Sequence, residues 1–292
     1  MNFNDILKEL EQAGPAVYEQ QNDRRQVLKS FGSKVAVAAL PFAIGSLFQK
    51  AQAKTTATDS PVDVLNFALQ LEYLAYNYYR TANNTGGLIP SGDQPGFLTI
   101  ENQKKAHILF LQATITGQGG TPFTPKNYDA TAANPLYIVS GTYDFTAGSK
   151  YQVFNYYPDF LMISEVIEDT LVHGYKGGII NSLLESVDVL EIMMRMQAAT
   201  GRHAAHARFV RRNLGYATAP EHPAPWITNN IPPDAKLQAY YVGEEVVSQQ
   251  GTDITTLPGN EGTTPFVSAT AAFDEPLDKT VTLNLLSPFM IK

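Results

Sequence analysis

Cysteine is absent from this 292-residue chain, which removes disulfides, thiolate metal sites, iron–sulfur clusters and cysteine nucleophiles from consideration. Its absence leaves the compartment open, because a cysteine-free protein tolerates reducing and oxidising surroundings alike. Basic charge is also scarce: 21 Lys and Arg face 28 Asp and Glu, for a net charge of −7 and a pI near 5.2. With no long basic run to offset it, that balance argues against nucleic acid or an anionic membrane as the main partner. Tryptophan occurs once, at Trp226. There is no Gly-x-Ser-x-Gly, phosphate loop or dinucleotide fingerprint, so hydrolase and nucleotide-enzyme chemistry has no support in the sequence. What remains, at 44% hydrophobic and 17% charged, is the composition of an ordinary globular protein able to bury a sizeable core.

The N-terminus carries the first positive signal. Paired Arg24 and Arg25 precede an apolar run from Val35 to Phe48, and Ala51-Gln52-Ala53 follows it. Basic, then apolar, then small-x-small is the order of an export signal. The run is too short and too rich in alanine and glycine for a membrane span, so cleavage after Ala53 is expected rather than anchorage. Arg24-Arg25-Gln26-Val27-Leu28-Lys29 resembles the twin-arginine signal, whose pathway exports folded proteins, often with a cofactor inserted. Export to the periplasm or cell envelope follows as an expectation. Loss of residues 1–53 takes six of the 21 Lys/Arg and five of the 28 Asp/Glu, which leaves a net charge of −8.

The rest of the chain reads as four helices. Ser60-Pro61-Val62-Asp63 supplies an N-cap, a proline at the first helical position and an acid at the third, and the helix is expected to run to about Arg80. A second is expected over about Thr99 to Thr116, closed by Gly117-Gln118-Gly119-Gly120. Residues 121–158 are rich in Pro, Asn, Gly, Tyr and Thr without helical period, which predicts a long crossover that lets helix three run parallel or antiparallel to helix two. Helix three is expected from about Asp159 to Ser182 and helix four from about Val187 to Leu214, stopped by Gly215. Residues 216–292, with sparse apolar residues, read as a tail wrapping the bundle, with a short helix at Asp274 to Leu286. The expected division is therefore a cleaved leader over 1–53, an all-α four-helix bundle over 54–215 and a mostly irregular tail over 216–292.

Four residues fall on the apolar stripes of these helices, one on each: Glu72, His107, Glu168 and His203. Charge there is costly unless something inside needs it, and two carboxylates with two imidazoles aimed at one core point to a metal site. One turn before each histidine, where a second carboxylate ligand is expected, stand Lys104 and Thr200. Glu165, one turn before Glu168, is a candidate substitute ligand. His173 and His206 read as partly exposed or satisfied by ordinary hydrogen bonds, although His203 and His206 have the i, i+3 spacing of a surface chelate. His222 carries no signal. The tyrosines at 73, 76, 78 and 79 and the methionines at 193, 194 and 196 read as packing before they read as a redox relay or a soft-metal cluster.

Four helices with one crossover, carrying Glu, His, Glu and His in that order, are similar to the ferritin-like bundle, whose di-metal site takes one Glu from each of two helices and a Glu-x-x-His pair from each of the others. Leu65-Asn66-Phe67-Ala68-Leu69-Gln70-Leu71-Glu72-Tyr73-Leu74 more closely resembles the opening helix of exported ferritin-like proteins related to plant desiccation-responsive proteins. Tyr143-Asp144-Phe145, Ile167-Glu168-Asp169, Tyr175-Lys176-Gly177, Arg202-His203-Ala204-Ala205 with Arg208, and Phe273-Asp274-Glu275-Pro276-Leu277 look like further landmarks of that group. The resemblance implies that Glu72 and Glu168 are the lone carboxylates and His107 and His203 the histidines. It also implies that Lys104 and Thr200 replace the two bridging glutamates, which a pair of adjacent dications needs. Two readings follow. In one, an ammonium at 104 compensates the carboxylates and the site is a non-catalytic relic in a protein with a stress, envelope or binding role. In the other, Glu72, His107, Glu168 and His203 hold a single iron, manganese or zinc ion for redox or iron-handling chemistry. Whether the chain is an enzyme stays open at this point, as does assembly into a homo-oligomer.

Overall fold

The computed structural model describes residues 59–126, 142–182, 186–216, 225–259 and 262–290; residues 1–53, where an export leader is expected, and His222 lie outside them. Helix α1 is Pro61–Asn83, and the cap read from the sequence is in place: the Ser60 hydroxyl accepts from the Asp63 amide at 3.2 Å while the Asp63 carboxylate accepts from the Ser60 amide at 3.1 Å. That reciprocal capping box satisfies two amides the helix itself leaves unpaired. Helix α2, Gln94–Gly117, starts earlier than the expected Thr99 because Pro95 sits in its first turn with φ already set for a helix. Helix α3 is Tyr157–Ser182. Helix α4 is Val187–Asn213, capped by the Ser186 hydroxyl on the Val189 amide and followed by Gly215 at φ 72°, the left-handed conformation glycine adopts without strain.

Side-chain contacts fix the directions of the helices. Asn66 near the start of α1 bonds to Thr121 and Phe123 beyond the end of α2, while Asn83 at the end of α1 reaches Phe97 and Glu101 near the start of α2. Those two helices are antiparallel. Tyr78 donates to the Phe160 carbonyl and Tyr175 to Glu72, so α1 is antiparallel to α3 as well. It follows that α2 and α3 run parallel, the option that only a crossover of this length permits. Helix α4 lies antiparallel to α3, with Arg208 on Glu165 and His203 on Glu168.

The α1 tyrosines are core, as expected: Tyr73, Tyr76, Tyr78 and Tyr79 are buried with Phe97 and Phe160. Tyr78 stacks on Phe160 at 5.4 Å between ring centroids and Phe97 meets Phe160 edge-on at 4.9 Å. Each such side chain contributes on the order of 2–3 kcal/mol of burial. Met193 and Met196 fill the same interior, whereas Met194 is exposed.

Helix α3 departs from the one-striped pattern expected of it. Every residue from Leu161 to Tyr175 is buried, because the faces that α1 and α4 leave open are covered by the tail. The tail is mostly irregular, as expected. Its elements are a seven-residue 3-10 helix at Ala235–Tyr241, hairpins of two-residue strands β1/β2 (Ser248–Gln249 with Thr252–Asp253) and β3/β4 (Pro258–Gly259 with Gly262–Thr263), 3-10 turns at Ile254–Thr256 and Ser287–Phe289, and two short helices, α5 at Phe266–Ala271 and α6 at Lys279–Leu286. Helix α6 begins after Asp278, later than the expected Asp274, since Pro276 disfavours helix in the residue before it. The tail approaches α3 closely around Leu277: its amide donates to the His173 carbonyl at 3.0 Å, and a Cβ placed on Gly177 would lie 2.0 Å from the Leu277 oxygen. Only glycine fits there. Among the described residues, no helix is long and apolar enough to cross a membrane.

Candidate metal centre at the bundle axis

All four residues expected at the axis come together, and Lys104 sits among them. Its Nζ lies 2.9 Å from Glu168 Oε2, 3.5 Å from Glu72 Oε1 and 3.4 Å from Thr200 Oγ1. Lys104, Glu72 and Glu168 are fully buried. Tyr175 also donates to Glu72. The histidines flank the ion pairs, with His107 Nδ1 3.2 Å from Glu72 Oε2 and His203 Nδ1 3.4 Å from Glu168 Oε2. His203 Nε2 is 2.7 Å from Gln103 Oε1; an amide oxygen accepts, so that nitrogen donates and, in the neutral ring, Nδ1 turns its lone pair toward the axis.

The electrostatics follow from this packing. Burial alone would raise the Glu72 carboxyl, but Lys104 and His107 overcome it and hold the group down at about 2. Glu168 is treated likewise: burial pushes upward and Lys104 with His203 brings it below its ordinary value. For Lys104 burial favours the neutral amine, yet Glu168 and Glu72 outweigh that and raise it. The three groups therefore stay charged together. His203 is lowered, chiefly by burial, against the pull of Glu168, which favours the neutral ring.

Glu165 does not serve this centre. It belongs to a neighbouring network in which Arg208 Nε is 3.3 Å from Glu165 Oε1 and Arg211 Nη1 3.7 Å from Oε2, while Asp169 accepts from both Arg208 and Tyr241. His206 packs against the Phe97 ring at 5.1 Å, while His203 Nε2 is taken up by Gln103 and Nδ1 faces Glu168.

Of the two alternatives expected for His173, partial exposure or ordinary hydrogen bonding, the structure shows the second, with carboxylates from the tail as partners. His173 is buried, with Nε2 2.8 Å from Asp274 Oδ1 and 3.3 Å from Glu244 Oε1. Lys176 pairs with Asp274 and donates to its carbonyl oxygen at 2.7 Å. A cleft of about 300 Å³ opens beside this group, walled in part by Arg208, Trp226, Phe273, Glu244 and Asp274. Asp274 lies in a landmark stretch of the sequence, whereas Glu244 follows no period or motif that would have singled it out.

The model of one family, described as a ferritin-like domain, matches residues 60–213. No curated protein matches the chain.

Proposed function

The chain belongs to the ferritin-like domain family, and from that premise we propose that it is an exported, non-catalytic member whose bundle axis is closed by Lys104 in place of a pair of metal ions. The observation that carries this reading is the Lys104 ammonium in contact with both Glu72 and Glu168, all three side chains fully buried. A two-metal centre does not fit these residues. At an effective dielectric near 20, a dication 3.5 Å from that ammonium would be repelled by roughly 9 kcal/mol, and the carboxylates that would bridge two metals are replaced by Lys104 and Thr200. What the residues do instead is compensate charge: one cation satisfies two buried carboxylates contributed by different helices, much as a metal would.

The finer description rests on sequence. Arg24-Arg25-Gln26-Val27-Leu28-Lys29, the apolar run and Ala51-Gln52-Ala53 support a twin-arginine leader over residues 1–53, cleavage, and residence in the periplasm or cell envelope. The remaining chain divides into a bundle over 54–215 and a tail over 216–292. The landmark stretches support kinship with exported relatives of plant desiccation-responsive proteins and a stress, envelope or binding role, with homo-oligomers as one form of assembly.

A second reading is favoured by one observation, the Nδ1 atoms of His107 and His203 directed at Glu72 and Glu168. If Lys104 swings aside, these four side chains make a reasonable donor set for one iron, manganese or zinc ion. Elemental analysis of the mature protein, purified without affinity tag or chelator, separates the two. The proposal expects the same metal content in the wild type and in a Glu72→Ala, His107→Ala variant. Stoichiometric metal in the wild type that disappears in this variant would overturn it.

A further inference from the structure

We propose that His173, Glu244 and Asp274 form a mononuclear site for a divalent transition-metal ion, built where the tail closes over α3. The three residues come from distant parts of the chain: His173 from α3, Glu244 from just after the 3-10 helix, and Asp274 from the stretch between α5 and α6. One ligand atom from each lies within 4.8 Å of the other two. His173 Nε2 faces both carboxylates, 2.8 Å from Asp274 Oδ1 and 3.3 Å from Glu244 Oε1. Donors on a single ion at about 2.1 Å sit roughly 3.0–3.4 Å apart, so small side-chain adjustments bring these atoms into coordination.

Hydrogen bonding leaves this group incomplete. Glu244 is 3% exposed, its Oε1 accepts from the Glu275 amide, and its Oε2 is buried without a hydrogen-bond partner. A buried carboxylate oxygen in that state is costly. A single proton on Nε2 bonds well to only one of the two carboxylates it faces, whereas a cation satisfies both. Lys176 occupies the far side of Asp274 through Oδ2, which orients the carboxylate and leaves Oδ1 toward His173. Two carboxylates balance a dication, so the bound state adds no net charge to the interior beyond that of Lys176.

Imidazole with two carboxylates favours manganese, iron, cobalt or zinc over magnesium and calcium. Glu244 and Asp274 also line the cleft of about 300 Å³, which gives water access to the remaining coordination positions. An ion here would cross-link the tail to α3. The inference does not rest on the reading of the bundle axis, whose ligand set it does not share.

The test is a Co²⁺ titration of the full mature protein, followed by visible absorption and reversed by Zn²⁺. One equivalent should bind, the Glu244→Gln, Asp274→Asn variant should bind more than about 100-fold more weakly, and Glu72→Ala, His107→Ala should bind as the wild type does. No cobalt spectrum in the wild type, or one that survives unchanged in Glu244→Gln, Asp274→Asn, would overturn the site. Cobalt lost only in Glu72→Ala, His107→Ala would overturn both this site and the closed axis. Should the tail variant fail to fold, Mn²⁺ added to the unmutated protein should broaden the His173 ring resonances ahead of those of His107 and His203. Broadening that spares His173 contradicts the proposal.

Discussion

Lys104 Nζ lies 2.9 Å from Glu168 Oε2, with both side chains fully excluded from solvent. An ion pair in that setting binds the fold to its own geometry, because the attraction is strong only where water is absent and each charge is costly without the other. Glu72 on α1, Lys104 on α2, Glu168 on α3 and Thr200 on α4 all meet here. The contact is therefore a gauge of how all four helices align.

Removing the cation should expose that dependence. Lys104→Met leaves two buried carboxylates without the ammonium they share, and is expected to cost about 3–5 kcal/mol at pH 7, read from urea unfolding. Glu72→Gln and Glu168→Gln added to Lys104→Met should recover most of the loss. An unchanged midpoint for Lys104→Met alone would contradict the pairing.

Acid should act through the same group. Glu72 has its carboxyl depressed from 4.5 to about 2 in the fold, so its contribution is fully present above about pH 4.5 and is lost as pH falls toward 2. The size is on the order of 3 kcal/mol, and the downward shift of Glu168 adds to it in the same direction. Unfolding free energy measured against pH should fall steeply across that window in the wild type and less steeply in Glu72→Gln.

Two substitutions should reopen the axis. Lys104→Glu with Thr200→Glu places a carboxylate one turn before each histidine, and the variant is expected to bind two Fe²⁺ per chain under anaerobic titration. If it folds and binds no iron, the helices do not align as their family membership requires.

The tail makes a prediction of opposite sign to helix propensity. Gly→Ala in a helix interior ordinarily stabilises by about 1 kcal/mol. At Gly177 the added Cβ would meet the Leu277 carbonyl oxygen, so Gly177→Ala should instead destabilise and loosen the tail. Faster proteolysis of the tail, with α1 to α4 still protected, would register it, together with a change in Trp226 fluorescence.

Much of the bundle was legible because its signals are local. The capping of α1 needs only Ser60, Pro61 and Asp63, and the axial residues announce themselves as charges on apolar stripes. The convergence of Glu72, His107, Glu168 and His203 follows from stripe positions alone. What was not legible depends on contacts far apart in sequence. Glu165 shares a stripe with Glu168, yet its partner is decided by Arg208 and Arg211 on α4. His173 looked ordinary because its partners, Glu244 and Asp274, lie in a segment without periodicity. The burial of α3 on every side has the same origin, since no local pattern reports that a tail will cover it.

The closed axis is tested most directly by a crystal of the mature protein soaked in Mn²⁺ or Zn²⁺, with anomalous data collected above the metal edge. A closed axis shows no anomalous peak among Glu72, His107, Glu168 and His203, with Lys104 Nζ still in contact with both carboxylates. A peak within about 2.5 Å of two or more of those four side chains, with Lys104 displaced, would contradict it.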